Sequence, residues 1–153
     1  MSELPPLMRD QRKVDAEHLK LLAVFHFVVA GLSIVGLGFL FLHWFFLHSI
    51  FDNPEMFKHA KDGPPPKEFF AIFKWFYVVF GVCIVTGGIA NLVSGWLILK
   101  RRARVFSLVV AGLDCAFVPL GTALGAFTFV VLLRDSVREV YEAAREPAPP
   151  AMS

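Results

Sequence analysis

Three apolar runs, Leu21–Phe51, Phe69–Leu99 and Val105–Leu133, dominate the chain. Each is longer than the roughly 20 residues a helix needs to cross about 30 Å of hydrocarbon. Apolar residues make up 56% of the sequence, and the 18% that are charged lie almost wholly outside the runs. That is too apolar for a soluble domain of 153 residues. The expected fold class is therefore all-α and integral to a membrane. Twenty mostly polar residues precede the first run, which is far longer than the apolar core of a cleavable signal peptide, so the first run reads as a retained span.

The chain reads as one membrane domain. Residues 1–13 are polar, carry Pro5 and Pro6, and are expected to be mobile. Helix 1 is predicted over 14–48, with Asp15 placed to cap its start. About twenty residues of it reach Leu40, which puts His43, Trp44 and His48 at the far interface. The loop 52–68, with Asn53-Pro54 and Gly63-Pro64-Pro65-Pro66, shows no apolar periodicity and is punctuated as a connection. Helix 2 is predicted over 70–99. Trp75 and Tyr77 suit one interface and Trp96 the other.

The third run decides the topology. As one straight helix its 29 residues would measure about 43 Å. As a hairpin each arm would be short. Pro119 cannot donate a backbone hydrogen bond and turns Val118 away from helical geometry. Gly121 and Gly125 suit a tight reversal. Charge votes the same way. A hairpin places Arg9, Arg12, Lys13, Lys20, the Lys100–Arg104 cluster, Arg134, Arg138 and Arg145 on one side. Only Lys58, Lys61, Lys67 and Lys74 are left opposite. That satisfies the positive-inside tendency with both termini cytoplasmic. We therefore expect four membrane helices, the last two a short hairpin: helix 3 over 104–118, and helix 4 over 121–146 including a C-terminal amphipathic extension. Val137, Val140, Tyr141 and Ala144 fall at helical spacing in that extension. The tail 147–153 is expected to be disordered.

Few residues carry chemistry. Cys83, Gly87, Asn91 and Gly95 recur every four residues and share one helix face. A small-residue stripe with one amide is a packing face, across which Asn91 can hydrogen-bond. Asp114 lies inside an apolar run, where a carboxylate needs a partner, water or a proton. Asn91, Thr122 and Ser33 are candidate partners. The alternative reading makes Asp114 a proton or cation site, with Asn91 and Thr122 continuing a polar path. His26, His43 and His48 lie on helix 1 and His59 in the loop, a placement that does not match haem ligation from facing helices. The five-residue step from His43 to His48 does not match an i, i+4 metal pair. Cys83 and Cys115 read as small buried hydrophobes. No nucleophile–base arrangement, phosphate loop or dinucleotide fingerprint is present. No catalytic residue, cofactor, metal or nucleic-acid partner is expected. The Lys100–Arg104 cluster reads as a topology signal that can also touch anionic headgroups.

Three segments carry a resemblance: LLAVFHFVVAGL (21–32), RRAR (101–104) and CAFVPLGTALGAFTFVVLLRDSVREVY (115–141). With its Pro-x-Gly-Thr-x-x-Gly motif, the last resembles a family of small four-helix bacterial inner-membrane proteins. The resemblance implies a multi-pass protein of the inner membrane and adds no chemistry. The expected role is non-enzymatic, structural or accessory, in association with copies of the chain or a larger membrane complex. The alternative is a small oligomeric transporter or channel built on Asp114. The first is favoured because no second acid or buried base stands in a predicted span to complete a relay.

Overall fold

A computed structural model describes residues 6–58 and 66–144. His59, the Gly63–Pro65 part of the loop and the tail 147–153 lie outside the described residues. The described residues form α1 (Pro6–Phe51), a short 3-10 helix (Pro54–Phe57), α2 (Lys67–Leu99), α3 (Arg104–Asp114), α4 (Leu120–Leu132) and α5 (Asp135–Ala143). The described residues contain no strand. Two helical segments are long and apolar enough to cross a membrane, Gln11–Phe51 and Phe70–Leu99. A third crossing would require α4 and α5, bent by 72° at their junction, to act together.

Several boundaries differ from the sequence expectation. Helix 1 begins at Pro6, so residues 6–13 are helical. Proline is tolerated at a first helical position, where its missing N–H has no partner to lose, and the Leu, Met, Arg, Gln and Lys that follow are good helix formers. Asp15 is therefore well inside α1 and does not cap it. Helix 3 stops at Asp114. The expected continuous helix 121–146 is two helices, because Arg134 takes an extended conformation (φ −63°, ψ 138°) between them. Asp135 then stands in the first turn of α5, where a carboxylate favours a helix N-terminus.

The chain divides into two compact units. The first comprises residues 1–30 and 89–153. Here α3 packs along α4, and α4 meets α5, so the third apolar run doubles back on itself. The reversal occupies 115–119, with hydrogen bonds from Phe117 N to Asp114 O and from Gly121 N to Phe117 O, both 2.8 Å. The Val118–Pro119 peptide is cis. Gly121 and Gly125 are helical residues of α4, and their role is close approach rather than unusual dihedrals. A Cβ at Gly121 would sit 2.8 Å from Phe117 Cβ. One at Gly125 would overlap the Ala111 carbonyl oxygen and Cys115 Sγ. The left-handed residues are instead Arg101 (φ 52°) and Ala103 (φ 49°), in the turn that leads from α2 to α3.

The apolar core of this unit draws Leu19, Leu22 and Ala23 from α1, Ile98 from α2, Leu124, Val131 and Leu132 from α4, and Val137 and Tyr141 from α5. Gly95 brings α2 against α1, since a Cβ there would lie 2.9 Å from the Phe27 ring and 3.1 Å from Ala23 O. One end of the unit is polar. Asp15 is buried and accepts from Gln11 Nε2 at 3.1 Å and from Arg134 Nη1 at 3.4 Å. Arg134 also donates to His18 Nδ1 at 3.2 Å. Arg12, Arg101, Ser136 and Glu139 line one cavity of about 330 Å³ at this end. The start of α1, the α2–α3 turn and α5 therefore converge.

The second unit is residues 31–88. None of its described residues is buried. Ile34, Phe39 and Phe41 are 75%, 70% and 72% exposed. Such surface is untenable in water but is the expected exterior of a helix in lipid. Aromatic pairs join its helices: Trp44 meets Tyr77 edge-on at 5.1 Å between ring centroids, and Phe51 meets Phe70 at 4.8 Å. His43 Nδ1 hydrogen-bonds the Tyr77 hydroxyl. At the end of α1, His48 pairs with Asp52 at 2.7 Å, and Asn53 caps the 3-10 helix through Glu55 N.

Candidate functional site

The inward face of each helix in the first unit follows from its spacing. On α1 the buried positions include Asp15, Leu19, Leu22, His26 and Ala30, separated by three or four residues. On α2 they are Asn91, Ser94, Gly95 and Ile98. On α3 they are Ser107, Val110, Ala111 and Asp114. On α4 they include Gly121, Leu124, Gly125, Thr128 and Val131. Every one of these four stripes carries polar side chains into the interior.

Three of those side chains, Asn91, Asp114 and His26, are the candidates for chemistry. Asn91 Nδ2 donates to Asp114 Oδ1 at 2.8 Å, tying α2 to the end of α3. Asp114 is 5% exposed. His26, on α1, is fully buried. Its Nδ1 donates to the Leu22 carbonyl at 2.9 Å. A carbonyl only accepts, so Nδ1 carries the proton and Nε2 is left as the reactive nitrogen. Asp114 Oδ2 and His26 Nε2 are both buried, and neither has a hydrogen-bond partner among the described residues. The Ser94 and Ser107 hydroxyls are likewise buried without a partner among the same residues. Thr128 spends its hydroxyl on Leu124 O at 2.8 Å.

No protein family, curated protein or solved structure matches the chain.

The residues singled out in the sequence are distributed unevenly. Asn91 and Asp114 are joined. Thr122 is turned to the Cys115 carbonyl at 2.9 Å, where it braces the reversal beside Pro119. Gly95 lies in the close contact of α2 with α1, whereas a Cβ at Gly87 would meet nothing within 4 Å. Cys83 is exposed, so the four-residue stripe is buried only at its Asn91–Gly95 end. Cys83 and Cys115 are both free thiols. No group of three or more metal-ligating side chains occurs among the described residues. The expectation that no buried base stands in a predicted span is corrected: His26 is fully buried on α1. The sequence signal for it was the spacing of His26 from Leu19 and Leu22, which puts it on the inward stripe of α1.

Proposed function

We propose that the chain is a non-enzymatic, multi-pass protein of a bacterial inner membrane, with a structural or accessory role exercised in association with other membrane helices. In this reading α1 and α2 are full spans, and α3 and α4 form a hairpin that enters and leaves from the cytoplasmic side. The amphipathic α5 lies at that surface. Both termini are cytoplasmic. The Asp15–Arg134 pair and the cavity shared by Arg12, Arg101 and Glu139 support the common side, and the resemblance to small four-helix inner-membrane proteins agrees with it.

The observation that carries the associative role is the use of glycine. Gly95, Gly121 and Gly125 are taken up by contacts inside the chain, but a Cβ at Gly31, Gly36 or Gly38 of α1 meets nothing within 4 Å. Small residues on a lipid-facing helix let another helix approach closely. A second copy of this chain is the simplest occupant. Energy transfer between labelled chains in vesicles tests this. Wild type should associate, and Gly36→Leu should reduce the signal to that of random proximity. Wild-type chains that remain monomeric at high protein-to-lipid ratio would overturn the associative role. For topology, Glu55→Cys should react with an impermeant thiol reagent in intact cells, and Arg102→Cys only after permeabilisation.

A further inference from the structure

We infer that the cleft between the start of α3 and α5 is a binding site for the phosphodiester of an anionic phospholipid. The inference rests on the reading of the chain as a membrane protein and not on self-association.

The cleft lies wholly within the first unit and has a volume of about 500 Å³, in the range of small-ligand sites. One wall is the first turn of α3, from Ala103 to Phe106, and the other is Arg138, Tyr141 and Glu142 of α5. Three features of these walls suit an anion. The first is the helix end. Ala103 stands at the N-cap of the 11-residue α3, and its side chain makes no capping bond. Phe106 N and Ser107 N donate to Ala103 O, which leaves the N–H groups of Arg104 and Val105 as the donors of an uncapped end. Such an end carries partial positive charge and takes phosphate readily. The second is Arg104, which is half-buried and forms no salt bridge among the described residues. A guanidinium in that position matches phosphate oxygens with two parallel donors. The third is Tyr141. It is 5% exposed, and its hydroxyl has no hydrogen-bond partner among the described residues. Leaving a buried hydroxyl unpaired is costly, and a phosphate oxygen in the cleft is an acceptor for it.

The acid in these walls is already engaged, since Glu142 Oε1 accepts from Arg138 Nε at 2.8 Å. Arg104 is therefore the uncompensated charge of the cleft. The rest of the lining includes Val105, Phe106 and Leu108, and Val105 is 73% exposed. A free phosphate has no use for an apolar wall. A phospholipid continues from its phosphodiester into acyl chains that cover such a surface, so charge and apolar lining together select a lipid. In the proposed topology the cleft lies at the cytoplasmic leaflet, whose anionic lipids attract arginines next to the membrane.

Electron spin resonance of the full chain in phosphatidylcholine vesicles tests this. Trace spin-labelled phosphatidylglycerol or phosphatidylcholine reports the preference as a ratio of motionally restricted label. In about 1 M salt the Debye length is about 3 Å, so attraction between exposed charges is removed and contact at the cleft remains. Wild type should keep a preference for phosphatidylglycerol under these conditions. Arg104→Gln should lower it about fivefold, the effect of one arginine at an anionic surface. Arg104→Lys should lower it less, and Tyr141→Phe should lower it as well. Arg102→Gln removes a charge from the same turn but does not line the cleft, and it should match wild type. The wild-type comparison needs no variant, so it holds even where a substitution disturbs folding. A chain that inserts and shows no preference overturns the inference and leaves the membrane reading intact, whereas a chain that does not enter the bilayer overturns both. A loss in Arg102→Gln equal to that in Arg104→Gln would assign the preference to diffuse charge and overturn the site. Displacement of the labelled lipid by inorganic phosphate would make the occupant a free anion and overturn the lipid.

Discussion

Gly125→Ala places one methyl group at the tightest point of the α3–α4 hairpin. The new carbon would overlap the Ala111 carbonyl oxygen and the Cys115 sulfur, and it would lie 3.3 Å from Cys115 N. In an isolated helix the change is favourable by about 1 kcal/mol, because alanine loses less backbone entropy than glycine. Overpacking a close-packed contact costs about 1–3 kcal/mol. A backbone carbonyl cannot rotate out of the way as a flexible side chain does, so the upper part of that range applies. The net expectation is a loss of about 1–2 kcal/mol. Gly112→Ala is the internal control, since its Cβ would make ordinary contact with Phe129 Cζ at 3.9 Å. It should be neutral or stabilising by up to about 1 kcal/mol. Adding Cys115→Ala to Gly125→Ala removes the sulfur overlap but not the carbonyl one, so it should recover only part of the loss. Unfolding in mixed micelles, followed by tryptophan fluorescence, measures all three. Gly125→Ala as stable as Gly112→Ala would refute close approach as the role of Gly125.

Arg134→Met should destabilise the same unit by about 1–3 kcal/mol by leaving the buried Asp15 without its cation. That is below the cost for a fully buried pair, because the Arg134 side chain is 35% exposed and partly screened. Asp15→Asn should cost less, and the reverse order in the same unfolding assay would show that the ion pair is not the stabilising contact. Ala103→Gly relieves a left-handed residue, worth about 1–2 kcal/mol. After the added freedom of the unfolded chain is subtracted, it should stabilise by roughly 0.5–1 kcal/mol. No gain would mean that the α2–α3 turn does not hold that conformation. The Tyr141 hydroxyl is buried without a partner among the described residues, and burial pushes its pKa up to about 12. Its folded pKa exceeds the unfolded value near 10, so stability is unaffected below about pH 10 and falls from there to about pH 12. Tyr141→Phe should flatten that alkaline decline, and an unchanged decline would assign it to another group.

The apolar runs announced the helices because hydrophobic length is a property of sequence alone. The reversal at Pro119 was legible for the same kind of reason: a missing N–H acts locally. The bond between Asn91 and Asp114 could be anticipated because a buried amide and a buried acid each need a partner. What failed were readings that needed to know which face of a helix met which neighbour. Asp15 resembled a cap because polar sequence precedes it, but the helix continues through Pro6 and makes it an interior residue. His26 looked like an isolated histidine in an apolar run. Its full burial came only with the packing of the helices around it. The glycine stripe from Cys83 to Gly95 was uniform in sequence and is buried at one end only, because spacing identifies a shared face and not the neighbour that covers it.

The hairpin also bears on how the protein is made. In the proposed topology, α3 and α4, of 11 and 13 residues, are only about 16 and 20 Å long, and the segment between them carries no charge after Asp114 until Arg134. The insertion machinery therefore has to export a single hydrophilic stretch, the loop 52–68 between α1 and α2. Once that loop has crossed, the remainder can enter from the side on which it was synthesised, and no later charged segment has to be translocated. A nascent chain ending near Lys100 would already have its final orientation.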